Sequence, residues 1–68
     1  MKYAIKVTYN LLGFTFTDYI GRRGEHKKTL DKVEGWKKRS TAEQHVQHAV
    51  RFDEFSGFEG RTYEIITL

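Results

Sequence analysis

The chain predicts an α+β fold: a small antiparallel sheet of three to four strands with one amphipathic helix packed on one face, in the order β-β-(β)-α-β. Three observations carry this. Residues 2–9 and 14–20 alternate in side-chain character with a period of two, as strands with one buried face do. The stretch after Ser40 places apolar residues at helical spacing. Residues 61–68 are rich in β-branched and aromatic side chains. At 68 residues the chain forms one domain, 1–68.

In the first segment Tyr3, Ile5, Val7 and Tyr9 share one side, and Lys2, Ala4, Lys6 and Thr8 the other. Asn10–Gly13 reads as a turn, with Gly13 free to take the positive φ that a hairpin return needs. Phe14, Phe16 and Ile20 then face away from Thr15, Thr17 and Tyr19. The two segments form an antiparallel hairpin. Residues 21–28 hold two glycines and almost no apolar surface, so they read as a loop or long hairpin tip. A third strand is expected around Val33–Lys38.

Ser40-Thr41-Ala42-Glu43 has the form of a capping box, a hydroxyl and a carboxylate satisfying each other's backbone N–H groups at a helix start. Ala42, His45, Val46, Ala49, Val50 and Phe52 fall in one arc of a helical wheel. Asp53 would point into that arc, so the helix is expected to end near Phe52. Phe55 and Phe58 then fall in a connection, Asp53–Gly60. The final strand is apolar on both faces, with Tyr63 and Ile65 on one side and Ile66 and Leu68 on the other. Such strands are often central in a sheet.

Composition narrows the function classes. There is no cysteine, which removes disulfides, thiolate nucleophiles and cysteine-based metal centres. Leu, Ile, Val and Phe make up 17 of 68 residues, above the rough 20% floor below which chains tend to be disordered. Lys2, Lys6 and Asn10 interrupt every apolar run near the N-terminus, so no secretory leader is read there. No run approaches the roughly 20 apolar residues of a membrane span, and the expected location is the cytoplasm. Charge is uneven along the chain: net +1 over residues 1–20, +5 over 21–41 and −3 over 42–68. Such asymmetry bears on partners and on approach to them, not on fold.

No catalytic, cofactor or metal signature emerges. His45 and His48 are spaced i, i+3, but a metal needs further ligands and no cysteine exists to supply them. Ser40 is assigned to the helix cap, and neither it nor Ser56 sits in a nucleophile turn. Arg22, Arg23, Glu25, His26, Lys27 and Lys28 hold residue types used in acid–base chemistry, but a mobile polar loop explains them better than groups held in place. Gly21-Arg22-Arg23-Gly24 is a flexible basic loop suited to a phosphate or an acidic protein surface. Lys37, Lys38 and Arg39 crowd the expected helix start, where an anion would offset their unfavourable placement.

Gly13-Phe14-Thr15-Phe16-Thr17-Asp18-Tyr19 resembles the aromatic strand of the RNA-recognition motif, whose rings stack on bases. It departs from that strand at Leu12, where a base is usual, and at Thr15, where a small residue is usual. Core packing is the competing role for Phe14 and Phe16. The element order, with a strand Lys2-Tyr3-Ala4-Ile5-Lys6, a hairpin, and Trp36 shortly before Ser40-Thr41-Ala42-Glu43, resembles small accessory proteins of bacteriophages and mobile elements. Several proteins of that class block host defences such as CRISPR or restriction systems. The resemblance implies a non-enzymatic inhibitor or regulator whose partner is a host protein or protein–nucleic-acid complex. The basic segment points to an acidic protein surface, or to nucleic acid directly. The expected contact residues are Arg22, Arg23, Lys27, Lys28, Trp36, Lys37, Lys38 and Arg39. No cofactor and no membrane contact are expected. A homodimer is the other route by which a chain this small gains stability.

Overall fold

Strand β1 (Tyr3–Leu11) lies at the centre of the sheet in the computed structural model, which describes residues 1–68. β2 (Phe14–Ile20) flanks it on one side, and the short β3 (His26–Lys27) extends β2. β4 (Arg61–Thr67) flanks β1 on the other side, giving the order β3-β2-β1-β4 with every pair antiparallel. The single helix α1 (Arg39–Ser56) packs on one face. The fold is therefore the expected α+β arrangement.

The hairpin is tighter than expected. Leu11 pairs with Phe14, so only Leu12 and Gly13 form the loop. Both have positive φ, 52° and 83°, as a type I′ turn requires to match the twist of its strands. Leu12 is the only residue other than glycine with positive φ.

Register divides the sheet cleanly. Tyr3, Ile5, Val7, Tyr9 and Leu11 share a face with Phe14, Phe16, Asp18 and Ile20 and with Arg61, Tyr63 and Ile65. This face meets α1. Ile5, Val7, Ile20, Trp36 and Ala42 form the buried cluster, with Tyr3, Tyr9, Val46, Tyr63 and Ile65 packed around it. The opposite face carries Lys6, Thr8, Thr15, Thr17, Tyr19, Thr62 and Glu64, with Ala4 and its partner Ile66 at one end. It is mostly polar, though Ala4 is fully buried there.

Four expectations are corrected. Val33–Lys38 is not a strand. A 3-10 turn spans Leu30–Lys32, and only Trp36 joins the sheet, through paired hydrogen bonds with Tyr3, each 2.8 Å. Gly35 permits this approach: a β-carbon there would fall 2.8 Å from the Tyr3 carbonyl oxygen and 2.7 Å from Leu68 Cδ1. The third strand is instead His26–Lys27, inside the segment expected to be loop.

β4 is an edge strand, because β1 already takes both central pairings. The capping box does not form. Lys38 holds the N-cap position without a side-chain cap, and Glu43 pairs with Arg39 at 3.1 Å. The basic residue one turn earlier competes successfully for the carboxylate. Finally, the helix runs a full turn past Phe52, to Ser56. Gly57 stops it in the left-handed conformation (φ 74°), and Phe58 N–H donates to the Asp53 carbonyl at 2.9 Å, as in a Schellman ending.

Leu12 occupies a backbone region that costs a non-glycine residue about 1–2 kcal/mol, and asparagine tolerates it best. Leu12→Asn is expected to raise stability by about 1 kcal/mol, read as a higher urea midpoint at unchanged slope.

Candidate functional site

The stripe that α1 presents to the sheet is Ala42, His45, Val46, Ala49 and Asp53. Small residues bring the first half of the helix close to Trp36 and the sheet. At the far end the contact is made by Asp53, which is buried. Arg61 Nη1 donates to its Oδ1 at 2.9 Å, and the Tyr63 hydroxyl donates to its Oδ2 at 2.6 Å. Both donors come from β4, two residues apart on the helix-facing side. The Arg61 guanidinium also lies 3.9 Å from the centre of the Phe58 ring, a cation–π contact. Burial, and then the hydrogen bond to Asp53, push the Tyr63 phenol above its usual value. Asp53 thus clamps the end of the helix to β4.

Between the second half of α1 and the sheet lies a cleft of about 430 Å³. Val7, Leu11, Ile20, Ala49, Phe52 and Phe58 give it apolar surface. Tyr9, Tyr63, Asp18, Asp53, Arg61, His26 and His45 supply polar groups. Asp18, on β2, accepts from the Tyr9 hydroxyl at 3.3 Å and pairs with the Lys28 ammonium. The Tyr9 ring stacks on Phe16, centres 5.5 Å apart.

The cleft opens onto exposed aromatic surface. Phe52 and Leu11, which line it, are 66% and 55% exposed, and Phe14 and Phe16 stand exposed on the same sheet face, Phe14 paired with Leu11.

His45 sits half-buried, its ring 5.3 Å from that of Trp36. Burial, and then the nearby His48 and His26, lower its pKa below the usual imidazole value. No cluster of three or more His, Cys, Asp or Glu side chains is placed to hold a metal ion.

The contact residues expected from sequence are dispersed and mostly engaged. Arg22 and Arg23 share Glu34, at 3.1 and 3.4 Å. Lys28 pairs with Asp18, and Arg39 with Glu43. Lys27, Lys37 and Lys38 have no ion-pair partner. Trp36 is 8% exposed and belongs to the core, because its backbone pairs with Tyr3 and its side chain is covered where α1 begins. It is not a surface anchor. Phe14 and Phe16 face the helix side but lie outside the buried cluster, so core packing does not account for them.

The residues that sequence reasoning missed are Asp18, Tyr9, Asp53, Arg61 and Tyr63. One signal was present: a carboxylate inside an apolar arc demands partners, and Arg61 and Tyr63 alternate on the next strand. Comparison with protein-family models, curated proteins and solved structures gave no match. No helix is long and apolar enough to cross a membrane.

Two outcomes follow from this geometry. Asp53→Ala leaves a guanidinium and a phenol without their acceptor and is expected to cost about 2–3 kcal/mol in urea unfolding. His45, whose pKa is lower folded than unfolded, binds its proton more readily in the unfolded chain. Its stabilising contribution is complete above the unfolded value of about 6.5 and is lost as pH falls from there through the lowered folded value. Thermal melts from pH 8 to pH 5 should show that loss, and His45→Gln should flatten the curve.

Proposed function

We propose that this chain is a non-enzymatic binding module that docks a macromolecular partner through the aromatic-rimmed cleft, acting as an inhibitor or regulator of phage or mobile-element accessory type. The observation that carries the reading is the exposed aromatic surface around the cleft mouth, which the single helix leaves open to water. Aromatic anchors around a concave apolar site are typical of protein interfaces. The serines support a non-catalytic reading. Ser40 lies in the first turn of α1, and the Ser56 hydroxyl donates to the Phe52 carbonyl at 2.9 Å.

A second reading, direct nucleic-acid binding, draws on a different observation. Phe14 and Phe16 stand exposed on one strand, two residues apart, with Lys27, Lys37 and Lys38 unpaired elsewhere on the surface. Stacking platforms with nearby bases use such an arrangement.

Two measurements separate the readings. Anisotropy titration of labelled single- and double-stranded DNA and RNA at about 50 and 200 mM salt should show no saturable binding if the cleft docks protein. A steep salt dependence would favour the second reading, since each phosphate contact adds nearly one unit to the slope. A Phe14→Ser/Phe52→Ser protein should keep its melting temperature and lose the proteins retained by the wild type from host lysate, whereas Lys37→Ala/Lys38→Ala should retain them. Equal retention by both variants would overturn the cleft as the docking surface.

A further inference from the structure

Two carboxylates lie on the walls of the cleft, and each is held in the same way. Asp53 accepts a tyrosine hydroxyl, from Tyr63, and a cation, Arg61, which rests on a phenylalanine ring. Asp18 accepts a tyrosine hydroxyl, from Tyr9, and a cation, Lys28, with Phe16 stacked on that tyrosine. The first cradle is closed. Asp53 is buried, and Arg61 is fixed by its place in β4 and by the Phe58 ring.

The second cradle is not closed. The Asp18 carboxylate is somewhat less shielded than that of Asp53, 15% of its side chain exposed against 11%, and the Lys28 side chain is 71% exposed. Lys28 follows the two-residue strand β3 and reaches Asp18 from outside. A pair with one partner in solvent contributes about 0–1 kcal/mol, so a second cation can replace the lysine at small cost. The carboxylate, with the Tyr9 phenol donating to it, stays open to a cation from outside.

We propose that Asp18 and Tyr9 form a receptor for a lysine or arginine side chain carried on an apolar segment of a protein partner, and that Lys28 occupies it in the free protein. The inference rests on the cleft being the docking surface and adds the chemistry of what docks. Apolar side chains of the segment lie against Phe14, Phe16 and Phe52. The basic residue enters beside Tyr9, displaces the Lys28 ammonium and takes its place on Asp18. An arginine gains further from stacking on the Tyr9–Phe16 pair.

Charge selects this occupant over a nucleic acid, which would bring phosphates against Asp18. A basic amphipathic segment meets the same carboxylate with the opposite sign.

The test uses two model peptides, a Leu/Lys amphipathic helix and its Leu/Glu counterpart with the same apolar face, titrated into isotope-labelled protein. The Leu/Lys peptide is expected to shift the amides of Tyr9, Phe16, Asp18 and Phe52. It should bind Lys28→Ala about threefold tighter than wild type, because the internal competitor is gone. It should bind Asp18→Asn about tenfold more weakly, the loss of one charge-assisted hydrogen bond. The Leu/Glu peptide should bind about tenfold more weakly than the Leu/Lys peptide.

Equal affinity for the two peptides, or a Lys28→Ala protein that binds no tighter than wild type, would overturn the receptor. Shifts that still map to Phe14 and Phe52 in that case would leave the cleft standing as a docking surface. Absence of shifts with either peptide would remove both readings. Lys28 is exposed and its replacement leaves the fold intact, so this variant decides the matter even if Asp18→Asn proves too unstable to titrate.

Discussion

Asp53 lies in the inward stripe of α1, where every other position is apolar or an imidazole, and a carboxylate persists there because Arg61 and Tyr63 both donate to it. The ion pair couples three features that would otherwise be independent. It fixes how the end of the helix sits over β4. It carries the helix a turn further than its apolar pattern supports, to the Gly57 stop. It also props that end on a polar contact rather than on packed side chains, so the space beside it stays open. The cleft lies next to this contact, with Asp53, Arg61 and Tyr63 among its walls.

The two ends of the helix hold the sheet by different means. At the first end, Ala42 lets the helix approach the cluster of Ile5, Val7, Ile20 and Trp36. At the second end the clamp stands in for close packing. One helix offers one stripe, and the sheet face beneath it extends past that stripe to Tyr9, Leu11, Phe14 and Phe16. A chain this short has no second element with which to cover them. Exposed aromatic surface beside a cleft is therefore built into the architecture, and it is the surface that a partner has most to gain by covering.

Charge is distributed differently in space than along the chain. The basic middle segment is partly tied down: Glu34 gathers Arg22 and Arg23, Asp18 takes Lys28, and Glu43 takes Arg39. Such pairs add little to stability, and they leave Lys27, Lys32, Lys37 and Lys38 as the bases of this segment without a carboxylate partner. The two carboxylates that matter most are recognisable only by what surrounds them. Asp18 directly opposes Val7 across the sheet, and Asp53 lies eight residues before its guanidinium partner.

The sequence by itself determined the two long strands, their shared inward faces, the existence of one helix and the α+β class, because periods of two and of 3.6 are local properties that need no partner to be read. It also held the clue to the clamp, an aspartate in an apolar arc, although that residue read as a helix stop. Only the tertiary structure decided which strand is central, that Trp36 is core, that the helix starts without its capping box, and that Asp18 and Asp53 face one cleft. Each of these turns on a competition between residues far apart in the chain: β1 against β4 for the middle of the sheet, the Gly35 backbone against Tyr3, Arg61 against solvent for Asp53. Such competitions are settled by which groups are brought together and shielded from water, and shielding exists only once the sheet and helix have met.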